Sequence, residues 1–253
     1  MMMKTVAVAV IALQGGGAPA DTSAFPFAVG EKLTYTAKLG LISLGSGTLE
    51  VAAKDSIRGD ETFRFRFRLQ GKTVFYSLDD VLESWVGTGD FTSRRFVQDF
   101  VENDKPKHRT YEIYADSGFF REVGKEKTEP TPADPLDDAA FFYFVRITPL
   151  AVGKKYVYPR YFRKDKNPVT IEVTKREKMG LPDGSEVYCL VLHPVIDTQG
   201  LFSKRSDTRI WLTDDSRRIP VQIRTKFPFG TITLRLKEMV LAGSTAPAPA
   251  SGE

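Results

Sequence analysis

Cysteine and histidine are nearly absent from this chain, with 1 Cys and 2 His in 253 residues. The lone Cys189 permits no internal disulfide, so the fold must rest on its core and its hydrogen bonds. It lies in Val187-Tyr188-Cys189-Leu190-Val191, an apolar strand-like run, and is expected as a buried structural thiol rather than a nucleophile. His108 falls in the basic stretch Lys105-Pro106-Lys107-His108-Arg109, which reads as a solvated turn, and His193 precedes Pro194 at a strand end. Neither belongs to an HxH, HExxH or Cys-His cluster, so no metal site is predicted. No Gly-x-Ser-x-Gly elbow supports a serine hydrolase, since Gly45-Ser46-Gly47 resembles it only superficially and reads as a hairpin turn. No glycine-rich phosphate loop follows a strand, so no nucleotide or other cofactor is expected. The pairs Asp79-Asp80, Asp137-Asp138 and Asp214-Asp215 read as turn and capping groups rather than as the facing acids of a glycosidase.

A strong excess of one charge is missing as well. The 36 Lys and Arg against 32 Asp and Glu leave +4, a balance that solubility explains without nucleic acid as a partner. Long apolar runs are also lacking, and no segment approaches the roughly 20 residues that a membrane-spanning helix needs. The N-terminus is the nearest approach. Met1-Met2-Met3-Lys4 is basic, Thr5 to Leu13 is small and aliphatic, and Ala18-Pro19-Ala20 has the small-x-small pattern of a signal peptidase site. These features predict a signal peptide over residues 1–20, cleaved after Ala20, and a protein of the periplasm or the secreted space. No cysteine follows for a lipoprotein anchor. One β domain is expected over residues 21–243, followed by a flexible Ala-Pro tail over 244–253.

Alternation is what the chain has in abundance. In Thr62-Phe63-Arg64-Phe65-Arg66-Phe67-Arg68-Leu69, a period of two puts Phe63, Phe65, Phe67 and Leu69 on one face and the arginines on the other. A helix cannot segregate that pattern. Turn signals recur through most of the chain, among them Arg58-Gly59-Asp60-Glu61, Gly87-Thr88-Gly89-Asp90, Asp116-Ser117-Gly118 and Leu181-Pro182-Asp183-Gly184. Gly40 to Gly47 reads as a glycine-punctuated turn, and Lys125 to Pro135 as an exposed loop. The fold class is therefore all-β, a large curved antiparallel sheet or open barrel.

One helix interrupts this pattern. Asp134 reads as its N-cap, Pro135 as its first position, and Asp137-Asp138 as complements to its dipole. Its body, Ala139-Ala140-Phe141-Phe142-Tyr143-Phe144-Val145-Arg146, is apolar on every side, so it must be buried between layers or close a cavity.

Three stretches together resemble the DUF3108 family of exported bacterial proteins. They are Val29-Gly30-Glu31-Lys32-Leu33-Thr34-Tyr35 with Gly47-Thr48-Leu49-Glu50-Val51; Leu136 to Arg146 with Leu150-Ala151-Val152-Gly153; and Gly200-Leu201-Phe202 with Ile210-Trp211-Leu212-Thr213-Asp214-Asp215, Arg218-Ile219-Pro220-Val221 and Gly230-Thr231-Ile232. The resemblance implies a periplasmic or secreted β-rich protein without established enzymatic activity, and it carries over no functional residues.

The sequence thus points to a non-enzymatic protein binding an apolar or amphiphilic envelope molecule such as a lipid. Phe63, Phe65, Phe67, Trp85, Phe141, Phe144 and Trp211 would line its groove, and Arg64, Arg66 or Arg146 would meet an anionic head group. Core filling is the default for alternating strands, so the same aromatics also suit a filled core in a structural or interaction protein of the envelope. A hydrolase with an unrecognised site is the third reading.

Overall fold

The computed structural model describes residues 25–72, 77–196, 202, 206–227 and 230–242. The expected signal peptide and the Ala-Pro tail lie outside the described residues. The strands are β1 (Lys32–Leu39), β2 (Ile42–Ile57), β3 (Asp60–Lys72), β4 (Ser77–Gly87), β5 (Ser93–Glu102), β6 (Lys105–Tyr114), β7 (Phe119–Glu122), β8 (Thr128–Pro130), β9 (Lys155–Tyr158), β10 (Val169–Gly180), β11 (Glu186–Val195), β12 (Arg209–Thr213), β13 (Pro220–Phe227) and β14 (Gly230–Val240), with one helix, α1 (Asp138–Ile147), between β8 and β9. They form a single 14-stranded sheet in the order β8-β7-β6-β5-β4-β3-β2-β1-β14-β13-β12-β11-β10-β9. Every neighbouring pair is antiparallel. The chain's first and last strands therefore meet in the middle of the sheet, while its two edges, β8 and β9, are joined through α1. No described helix is long and apolar enough to cross a membrane.

Turn chemistry sets much of this path. Arg58-Gly59 and Asn103-Asp104 have positive φ at both positions, as two-residue hairpin turns require. Two expected turns are instead strand. β2 begins at Ile42, and only Gly40-Leu41 turns. Gly45 and Gly47 serve close packing: a Cβ on Gly45 would lie 2.1 Å from the Gln70 carbonyl oxygen. The basic segment Lys105 to Arg109 likewise belongs to β6, because Asn103-Asp104 supplies the reversal. The expected loop from Lys125 to Pro135 contains the short edge strand β8.

The helix begins later than its sequence signals imply. Asp137, not Asp134, is the N-cap, and its Oδ1 accepts from the amides of Ala139 at 3.0 Å and Ala140 at 2.9 Å. Residues 135 and 136 are held extended by neighbouring chain. The Ser93 amide donates to the Pro135 carbonyl at 2.7 Å, and Leu136 exchanges backbone hydrogen bonds with Arg160 and Phe162. Thr148 ends the helix in an extended conformation, as a residue before proline prefers. Ala139 to Arg146 are all buried, as an all-round apolar helix requires. The inner face of the curved sheet supplies the cover, with Leu33, Tyr35, Leu49, Val51, Phe65, Ile113, Ile210 and Leu234 in one continuous core with the helix.

Candidate functional site

The phenylalanine wall of β3 faces the helix. Phe65 stacks on Tyr143 with ring centroids 3.9 Å apart, and Phe67 on Phe142 at 5.2 Å. Phe63 packs edge-on against Phe25 at 5.3 Å. Phe141 turns away toward Phe202 at 4.8 Å, and Phe144 meets Tyr158 edge-on at 5.1 Å. Phe63, Phe65, Phe67, Phe141 and Phe144 are all buried, so the wall meets packed side chains.

Trp85 lies on the other face of the sheet. Leu82, Ser84 and Val86 point inward, which sends Trp85 outward between Arg64 and Arg95 in register. Its indole donates to Asp55 at 2.8 Å. Trp211 donates to Glu177 at 3.1 Å and carries the Arg224 guanidinium 5.5 Å from its ring centre. Trp85 stays outside the phenylalanine cluster, whereas Trp211, only 5% exposed, is buried in the same continuous core. The outward arginines of β3 are matched by acids on the flanking strands: Arg64 lies 3.6 Å from Asp55, Arg66 2.8 Å from Glu83, and Arg68 2.6 Å from Asp79. The Arg68 guanidinium holds the Asp79 carboxyl below the usual range. Such half-exposed pairs add little stability each, about 0–1 kcal/mol, but they leave this row without spare charge.

Arg146 completes the set, and it is sequestered. Only 3% exposed, it grips Glu31 with two parallel hydrogen bonds of 2.5 and 2.9 Å. Its Nη2 also donates to the carbonyls of Pro26 at 3.0 Å and Arg217 at 3.1 Å. The guanidinium stacks over Phe27 at 5.2 Å and Tyr143 at 5.6 Å. Arg146 thus ties the end of α1 to the approach to β1 and to the β12–β13 turn. Glu31 is the residue that sequence reasoning missed. It falls in line with the inward positions Leu33, Tyr35 and Ala37, where a carboxylate needs a buried cation.

Above this ion pair lies an open depression of about 610 Å³. Phe25, Pro26, Ile147 and Pro149 give it an apolar side; Arg217 and Arg218 border the other. Asp215 organises that turn, accepting from the Thr213 hydroxyl at 2.7 Å and pairing with Arg217 at 2.6 Å. Arg218 is less neutralised. Among the described residues its guanidinium pairs only with Asp214, 3.9 Å away, and that carboxylate already holds Arg176 at 2.8 Å.

Elsewhere the titratable groups do structural work. Asp137, buried under the helix, accepts from the Ser84 hydroxyl at 2.5 Å, and burial pushes its carboxyl up to about 7. Burial likewise lifts Asp138 to about 6, with the Tyr161 hydroxyl donating to it at 2.9 Å. Asp79 and Asp80 point to opposite faces of β4. Cys189 is buried, and that burial pushes its thiol up to about 12. His108 sits on an exposed strand face against Asp99 and Thr110, and His193 lies 3.6 Å from Asp207. Neither histidine meets a serine in a cleft among the described residues. No cluster there of three or more His, Cys, Asp or Glu is placed to hold a metal ion.

A wide antiparallel sheet curled around one buried helix, with a basic hollow at the helix end, defines a β-barrel-like protein. The architecture is similar to the crystal structure of a beta-barrel-like protein of domain of unknown function DUF1849 from Brucella abortus, at a TM-score of 0.55 and 12% identity over 85% of this chain and 98% of that one. At that identity the likeness is one of fold. The family model for DUF3108, protein of unknown function, matches residues 34–237, and the chain belongs to that family. No curated protein matches the sequence.

Proposed function

We infer that this is a non-catalytic binding protein of the cell envelope that takes an anionic amphiphile at the end of α1. One observation carries the reading: apolar side chains and an under-neutralised cation border the same open hollow of about 610 Å³. An acyl segment suits Phe25, Ile147 and Pro149, and a carboxylate or phosphate suits Arg218. Export rests on the signal-like N-terminus. A second reading, an envelope interaction protein without a ligand, draws support from the filled interior, where Phe65 and Tyr143 stack at 3.9 Å.

Native mass spectrometry and dye displacement with lauric acid and with monoacyl phosphatidylglycerol separate the two. Binding that weakens about fivefold or more in Arg218→Glu, at unchanged thermal stability, supports the amphiphile site. No binding of either probe leaves the ligand-free reading, and equal binding by the variant overturns the site at Arg218.

A further inference from the structure

The opposite end of the sheet carries a different surface. Strand directions place the β1–β2 turn, the end of β13 and the start of β14 together there, away from the helix-end hollow. Turns are normally polar, yet this one is Gly40-Leu41 followed by Ile42, and the two aliphatic side chains are 98% and 62% exposed. They project from a hairpin tip instead of lining a groove.

Cations surround that tip on the outer face. Register aligns Lys38 with Thr233 and Thr233 with Arg224, and in the next row Thr231 with Lys226. The Gly40 amide donates to the Thr231 carbonyl at 3.1 Å, which fixes the turn against this row. Gly40, Asp207, Arg224, Lys226, Thr231 and Thr233 enclose a polar hollow of about 450 Å³. Its one carboxylate, Asp207, is paired with Arg209 at 3.0 Å. Among the described residues, Lys38 and Lys226 have no ion pair, and Arg224, whose guanidinium lies over Trp211, has none within 4 Å, in contrast to the matched arginines of β3.

We propose that this hairpin end docks on an anionic lipid surface, with Leu41 and Ile42 entering the acyl boundary and the Arg224–Lys226 hollow receiving a lipid phosphate. A convex aliphatic tip has nothing to bury itself against in water, and the cations beside it match the negative potential of anionic bilayers. The site is independent of the hollow at the end of α1.

The test is co-sedimentation of protein purified after expression of the full chain, with phosphatidylcholine vesicles and with phosphatidylcholine–phosphatidylglycerol vesicles. Binding is expected only to the anionic vesicles and should fall as salt rises. Arg224→Gln and Lys226→Gln should each weaken it by about fivefold. Leu41→Asp/Ile42→Asp should abolish it, and Arg218→Glu should leave it unchanged. Leu41, Ile42, Arg224 and Lys226 are exposed and Arg218 partly so, and circular dichroism verifies the fold of each variant. Equal binding to both vesicle types, binding that survives the Leu41/Ile42 change, or binding of inorganic phosphate without vesicles would each overturn the proposal.

Discussion

Asp137 shows how one buried carboxylate joins helix to sheet. Its two oxygens divide the work, Oδ1 serving the first amides of α1 and Oδ2 the Ser84 hydroxyl of β4. Burial favours its neutral form, so the folded carboxyl titrates near 7 whereas an unfolded Asp titrates near 3.9. Between those values the folded chain holds the proton that the unfolded chain has lost. Stability from this group is therefore fully present at acid pH, declines as pH rises from about 4 to about 7, and is level above that. Asn at this position keeps an oxygen for the amides and offers Ser84 a donor, without a proton to lose. Urea melts of wild type and Asp137→Asn should therefore diverge across that window, the wild type losing ground as pH rises. Asp137→Ala should cost about 1–2 kcal/mol for the cap, and more for the stranded Ser84 hydroxyl, at every pH. Parallel wild-type and Asn profiles would contradict the account.

Among the elements, the hairpins were the most legible. Alternation in β3, and turn residues such as Arg58-Gly59 and Pro182-Asp183-Gly184, act locally, so residues a few positions apart announce them. Glycine was ambiguous for a physical reason. The same residue that permits a turn also permits two backbones to approach, and only tertiary contact decides which use applies at Gly45 and Gly47. The helix start was misplaced on the same ground, since the bonds that hold Pro135 and Leu136 extended come from Ser93, Arg160 and Phe162, far away in the chain. Of the candidate site, Arg146 was visible as a lone cation in an apolar helix, whereas its acid and the hollow beside it depend on where distant strands fall. The β2–β3 pairing supplies a test of the glycine argument. Gly45→Ala must push a methyl group into the Gln70 carbonyl from a backbone at φ 151, whereas Gly89→Ala meets open space. The first should lower stability by about 2 kcal/mol or more, and the second by well under 1, in the same thermal melt. Equal effects would mean that β2 and β3 separate easily at this crossing.

The whole molecule is a meander cut in an unusual place. Read from β9 through β14 to β1 and on to β8, every strand pairs with the next, and the termini interrupt that path at its centre. Lys32 stands directly opposite Val240, so the beginning and end of the sheet are hydrogen-bonded neighbours. The seam is held by strand pairing, while Gly30, donating to the Val51 carbonyl of β2 at 2.9 Å, and the Arg146 grip on Glu31 and Pro26 fix the approach to β1, and none of these needs a chain end. Covalent order is then incidental at the seam, whereas the segment from β8 through α1 to β9 is essential, because it alone delivers the helix into the curve. A circular permutant follows from this. With a Gly/Ser linker joining Ala242 to Phe25 and new ends opened at Asp183-Gly184, an exposed turn, every strand pair and the helix connection persist. It should unfold in one cooperative urea transition, with stability within roughly 2 kcal/mol of the parent, the scale set by loop-closure entropy. Its near-ultraviolet circular dichroism, which reports the packed aromatic core, should match the parent. A non-cooperative transition with that signal lost would show that β1 and β14 need their native ends to pair.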